Sequence, residues 1–229
     1  MNANSGLPLV LDIETVPLAS ALAMPYPNAD RLPPSNYKNE DAIAKWRDAD
    51  RVKWAGERAK ECSINPRLGR VLCIGMSGAV QQVVTAETEA DEPAILNTFW
   101  GAVLENPTGQ IVTWNGMWDL RFLVIRSLAH KITPSVSAET IRGWFAKYRT
   151  YPHFDCKAVL TNWENRAEGE GLSEWSAFLG GDGKTQGMSG ADVFPLYQLG
   201  HFDEIASYCA QDVRATHDIY ERIAPMFAA

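Results

Sequence analysis

The apolar positions of this chain fall into runs of two periods. Leu9-Val10-Leu11-Asp12-Ile13-Glu14-Thr15 interleaves apolar residues with two carboxylates. In an extended strand, residues two apart share a face, so Leu9, Leu11 and Ile13 turn towards a core while Val10, Asp12 and Glu14 line the other side. Val16-Pro17 ends this first strand. Arg70 to Met76 is an apolar run of strand length, and Val80 to Thr85 follows it after a Ser77-Gly78 turn, which predicts an antiparallel hairpin. Gly109 to Trp114 and His153 to Asp155 read as two further strands. Helical spacing marks Glu87 to Asn106, Trp118 to His130, Ala158 to Asn165 and Leu172 to Leu179. The last and longest helix runs from Phe202 to Phe227, with Ile205, Tyr208, Cys209, Val213, Thr216 and Ile219 on its inner stripe. Gly180 to Gly183 is a flexible break.

One segment has a different texture. Pro25, Pro27, Pro33 and Pro34 punctuate a loop from Ala19 to Tyr37, and Asp41 to Lys60 then reads as a helix of alternating charge. This excursion, about residues 19–60, predicts a solvated helix laced with ion pairs; a flap over a nucleic-acid cleft is the functional alternative. The order of elements gives an α/β fold with a mixed sheet. A length of 229 residues is within the range for one domain, read here as carrying that excursion.

Composition narrows the function classes. A net charge of −7 argues against a polyanion binder that works by bulk electrostatics, although bound cations could supply positive charge at a site. Cys62, Cys73, Cys156 and Cys209 are scattered without zinc spacing, so buried thiols in a reducing compartment are expected. The N-terminus has neither a basic leader region nor a long apolar run, which predicts a cytoplasmic protein without a membrane span.

The candidate chemistry is acidic. Asp12 and Glu14 repel each other on one strand face unless a cation sits between them, and oxygen donors of this kind suit magnesium or manganese. Asp119 follows Asn115-Gly116 at a strand-to-helix turn, where an acid in the first helical turn also has an ordinary structural reading. Tyr208 and Asp212 are four apart and share one face of the last helix.

Together these motifs, D-x-E on a strand, N-G-x-x-D at a turn and Y-x-x-x-D on the last helix, resemble the DEDDy branch of the DnaQ-like 3′–5′ exonucleases. The chain is most similar to the stand-alone predicted exonucleases related to the proofreading domain of family B DNA polymerases. Pro66-Arg67-Leu68-Gly69-Arg70-Val71, Lys184 to Gly190 and Tyr208 to Tyr220 extend the likeness over about residues 8–223. Trp118 departs from it, because relatives more often carry Phe before the second-motif acid.

The resemblance implies a ribonuclease H-like five-stranded sheet, three antiparallel strands followed by parallel ones, flanked by helices. It further implies a two-metal-ion hydrolysis of single-stranded DNA from the 3′ end, releasing nucleoside 5′-monophosphates. Asp12 would bridge two Mg2+ or Mn2+ ions, Glu14 and Asp212 would complete the first shell, and Asp119 would hold the second ion. Tyr208 would orient the attacking water. Thr15, Val16, Asn115, Trp118, Phe122 and Lys184 would be substrate contacts. Asp155 resembles a strand-end acid near the site, but no matched motif makes it a ligand; the histidines at 153, 201 and 217 sit in no recognisable acid–base pair and read as structural. An exoribonuclease on short RNA, a catalytically silent nucleic-acid-binding module and a structural divalent site are the alternatives. Replication or repair proteins acting in trans are the partners to be expected besides nucleic acid.

Overall fold

A computed structural model describes residues 6–27, 30–78, 81–164, 171–181 and 188–227. Strand β1 (Leu9–Pro17) is followed by α1 (Ala19–Leu22) and the long α2 (Glu40–Ser63). The hairpin β2 (Gly69–Ser77) and β3 (Gln82–Thr85) leads through a 3-10 turn at Glu89–Asp91 into α3 (Glu92–Glu105). Next come β4 (Ile111–Thr113), α4 (Gly116–Ala129), α5 (Ala138–Trp144) and β5 (His153–Asp155). The helices α6 (Cys156–Leu160), α7 (Leu172–Phe178), α8 (Val193–Leu199) and α9 (Phe202–Phe227) complete the order.

The five strands lie in the order β3-β2-β1-β4-β5. β1, β2 and β3 pair antiparallel, and β4 and β5 add on parallel to β1. This is the mixed sheet of a ribonuclease H-like α/β fold. The facial alternation of β1 holds: Leu9, Leu11 and Ile13 join the core under α3 and α4 with Leu96, Phe99 and Leu120. Val10 packs on the opposite face against Val112, Phe154 and the α9 residues Val213 and Ile219. Each such side chain removed from water contributes roughly 1.5–3 kcal/mol, so both sheet faces are fixed by apolar burial.

Gly75 sets the distance between sheet and last helix. It pairs with Asp12 across the β1–β2 ladder, and a Cβ there would lie 2.7 Å from Val213 Cγ2 and 2.9 Å from Cys209 Sγ. Only a glycine lets α9 come this close to the strand that carries the first two acids.

Several elements differ from the sequence reading. β1 continues to Pro17 through an irregularity between Glu14 and Thr15 instead of stopping before Val16. β4 pairs only with Leu9 and Val10, so the far half of β1 is edge-like, and a proline is tolerated there. The proline-rich loop contains the one-turn α1. α5 and α8 fall where no helix is predicted. α6 stops at Leu160, before Asn162 and Trp163 take positive φ values of 51° and 58°. Asp182, Gly183 and Lys184 lie outside the described residues. All four cysteines are buried and unlinked. Among the described residues no helix is long and apolar enough to cross a membrane.

Candidate active site

Asp12 and Glu14 project from the same face of β1, and α9 lies across that face. One carboxylate oxygen from each of Asp12, Glu14 and Asp212 comes within 4.8 Å of the others. Cys209, one helical turn before Val213, has its sulfur 3.6 Å from both the carbonyl oxygen and Oδ2 of Asp12. Glu14, Asp212 and Tyr208 are all buried. Two hundred residues of sequence are thus closed by one close helix–strand approach, which Gly75 permits.

Asp119 stands beside this trio in the first turn of α4, 6% exposed. Burial pushes its carboxyl up to about 8, against the pull of its own amide and that of Ile13. The negative charges of Asp155 and Asp212 add to the rise. Tyr208 is held well above the ordinary phenol range, first by burial and then by Asp212, Glu14 and Asp12. It is therefore a neutral hydroxyl at physiological pH.

Asp155, the strand-end acid expected near the site but not as a ligand, belongs to the same electrostatic neighbourhood. Its carboxylate accepts from the Ala158 amide at 2.9 Å, capping α6, and from the Met117 amide at 3.4 Å in the first turn of α4. Burial raises its pKa, partly opposed by His153 and by these amides. His153 is fixed between the Trp144 carbonyl and the Thr113 hydroxyl, each at 2.8 Å, and its burial favours the neutral ring. A Cβ on Gly116 would lie 2.0 Å from Thr113 Oγ1 and 2.6 Å from His153 Nε2, so α4 can start here only with glycine. Asp155 and Gly116 together place Asp119. The sequence signal for Asp155 was its position at a strand end before a helix, the usual place of a capping acid.

The expected substrate contacts divide. Val16 is fully buried among Leu72, Cys73 and Tyr208, and Phe122 is 1% exposed in the core under α3 and α4. Neither side chain offers a surface to a ligand, because both fill the apolar layers that hold β1 and α4. Thr15 is also buried and donates its hydroxyl to the Ser63 carbonyl at 2.7 Å. Asn115 is exposed just before α4. Trp118 is half-buried, and its indole N–H donates to the Ile64 carbonyl at 3.3 Å. Thr15 and Trp118, with Glu14, line a cleft of about 680 Å³ between α2 and α8. Lys184 lies outside the described residues.

Three clustered carboxylates, oxygen donors only, fit a small divalent cation better than zinc or a soft metal. A second grouping, His217, Asp218 and Glu221, lies on α9 with two of its three members exposed, His217 Nε2 standing 3.8 Å from Glu221 Oε1.

The sheet and its helices have the ribonuclease H-like fold, and the family the chain matches makes it a predicted nuclease, a hydrolase. The chain belongs to a family described as predicted 3′–5′ exonucleases related to the exonuclease domain of PolB, whose profile matches residues 70–228. Asp119, Tyr208 and Asp212 fall inside the match, while Asp12 and Glu14 precede it. Among solved structures, the family B DNA polymerase from the hyperthermophilic archaeon Pyrobaculum calidifontis is similar over 96% of this chain, with a TM-score of 0.61 and 15% identity. The match spans 25% of that polymerase chain, and at this identity the likeness is one of fold. Curated proteins give no match.

Proposed function

We propose that this chain is a DEDDy-type 3′–5′ exonuclease that shortens single-stranded DNA from its 3′ end, releasing nucleoside 5′-monophosphates. The observation that carries this reading is the convergence of Asp12, Glu14 and Asp212 within 4.8 Å, with Tyr208 one helical turn from Asp212.

Asp12, Glu14 and Asp212 would hold one Mg2+ or Mn2+ ion, and Asp119 with Asp12 a second. Bound there, the ions supply an acidified water and neutralise charge on the leaving oxygen. The protein's own groups do the rest. Tyr208, neutral because burial and three carboxylates disfavour its phenolate, donates or accepts a hydrogen bond to orient the attacking water rather than removing its proton. Asp119, whose carboxyl burial pushes up to about 8, would hold the second ion as its deprotonated carboxylate. Trp118 and Thr15 border the cleft beside Glu14 and position the terminal nucleotide. Asn115, exposed at the start of α4, would meet the sugar-phosphate backbone. The fold neighbour's being a DNA polymerase supports DNA as the polymer.

The test is degradation of 5′-labelled single-stranded DNA and RNA side by side in magnesium or manganese. Wild type should give a ladder shortening from the 3′ end of DNA, and Asp12→Ala should give none. Shortening of RNA alone would transfer the activity to an exoribonuclease. Intact polymers of both kinds would sink the enzymatic reading.

A further inference from the structure

The excursion helix α2 presents two different faces. On its solvent side Arg51 pairs with Asp48 and Lys53 with Glu57. On the other side Gly56, Ala59, Lys60 and Ser63 recur at helical spacing and line the 680 Å³ cleft that also holds Glu14. Lys60 is the basic residue among those lining the cleft, and among the described residues it enters no ion pair.

Gly56 is the second anomaly. Glycine is the poorest helix former after proline, and it is found inside helices where a neighbour leaves no room for a side chain. Here a Cβ would meet nothing within 4 Å. No atom of the described residues fills the place of its missing side chain, and that open space belongs to the cleft. A volume of 680 Å³ suits a drug-sized ligand or a short single strand and is far too small for a duplex.

We propose that α2 is the substrate-gripping wall of the exonuclease site: Lys60 holds a phosphate of the single strand, and the room at Gly56 and Ala59 receives the nucleotide beside it. This rests on the exonuclease reading for the chemistry, but its own content is binding. In an acidic protein, one cation aimed into the cleft gives the polyanion a place to register against the carboxylate pocket.

Binding of 5′-fluorescein-labelled oligodeoxythymidylate is measured by anisotropy over a range of salt, with calcium replacing magnesium so that the strand stays intact. Lys60→Gln should weaken binding and make the slope of log K against log salt shallower by about 0.7, the value for one lost phosphate contact on a single strand. Lys53→Gln, the same charge change on the solvent face, should leave affinity and slope as in wild type. Gly56→Leu should weaken binding while its melting temperature stays equal or rises, because a better helix former enters open space. Equal effects of Lys60→Gln and Lys53→Gln would reduce the contact to bulk electrostatics and overturn the proposal. Wild-type affinity in Gly56→Leu, or absence of binding by wild type, would overturn it as well. Binding that follows the expected pattern without hydrolysis in magnesium or manganese would leave α2 as the gripping wall and remove the exonuclease reading instead.

Discussion

Gly75 decides whether the acidic pocket exists. Its missing side chain lets Cys209 and Val213 seat on β2 directly across from Asp12, and Asp212 lies between those two residues in sequence. Gly75→Ala would put a methyl group 2.7 Å from Val213 Cγ2 and 2.9 Å from Cys209 Sγ, where both side chains are buried and cannot swing aside. Overpacking of this kind costs about 1–3 kcal/mol, and the outward shift of α9 that relieves it carries Asp212 away from Asp12. Denaturant unfolding should register that loss, and activity should fall further than the folded fraction does, since a 1 Å misplacement can cost on the order of 10²-fold. Gly101→Ala is the contrast: it lies inside α3, its Cβ would meet nothing within 4 Å, and it should gain about 0.5–1 kcal/mol. An unchanged denaturation midpoint in Gly75→Ala would remove Gly75 from this role. The sequence marks Gly75 only as one more small residue in an apolar run; its meaning comes from a helix some 130 positions later, which no local pattern encodes.

At the scale of elements, α3, α4 and β2 are locked by one buried carboxylate. Glu92 opens α3 and is fully buried. Its Oε1 accepts from the Val71 amide at 2.8 Å and from Arg126 Nε at 2.9 Å. Its Oε2 meets Arg126 Nη2 at 2.6 Å and His130 Nε2 at 2.7 Å. Burial by itself would raise the Glu92 pKa, but hydrogen bonds from Arg126, His130 and Val71 outweigh it, and the carboxyl sits below its ordinary range. A depressed folded-state pKa adds stability that is complete above the unfolded value of about 4.3 and is lost as pH falls through the folded value. Thermal melts should therefore drop steeply on acidification below pH of about 4, with Glu92→Gln less acid-sensitive. The same variant should lose about 3–5 kcal/mol near neutrality, because Arg126 is left buried without its partner charge. A pH–stability curve for Glu92→Gln parallel to that of wild type would refute the linkage. What the sequence discloses follows from the same logic. The long amphipathic segments α3, α4 and α9 are legible because their period repeats over several turns. α5 and α8 are not: each spans seven residues, with Gly143 inside α5 and Pro195 inside α8. They stand on a Ser137 cap, the burial of Trp144 and the seating of Val193 beneath β1 rather than on a repeated stripe. The D-x-E, Asp119 and Tyr208–Asp212 motifs were readable because each sits within one element. The part played by Asp155, capping α6 while anchoring the first turn of α4, joins two elements and is visible only in three dimensions.

For the molecule as a whole, the pocket is a point of electrostatic tension between β1, α4 and α9, in a chain that already carries a net charge of −7. The rise of Asp119 to about 8 expresses that tension: burial and the neighbouring charges of Asp155 and Asp212 make a further anion unfavourable. A cation that relieves it binds the folded chain and not the unfolded one, because Asp12 and Asp212 meet only on folding. Binding is then linked to stability, and a cation at a hundred times its dissociation constant adds about 2.7 kcal/mol. For a chain of this length that corresponds to a rise in melting temperature of about 5–10 °C. Magnesium or manganese should produce such a rise in the wild type and none in Asp12→Ala. Without added metal, Asp119→Asn should melt at or above the wild type, since an amide of the same shape is neutral in both states and escapes the cost of protonating the buried carboxyl on folding. A wild type whose melting point ignores both metals, or an Asp119→Asn that is markedly less stable in their absence, would mean that the carboxylates are held by protein contacts alone. The acids crowded into the pocket are those proposed to do the chemistry, so the metal-linked rise and the hydrolytic activity should vanish together in each variant that removes a ligand.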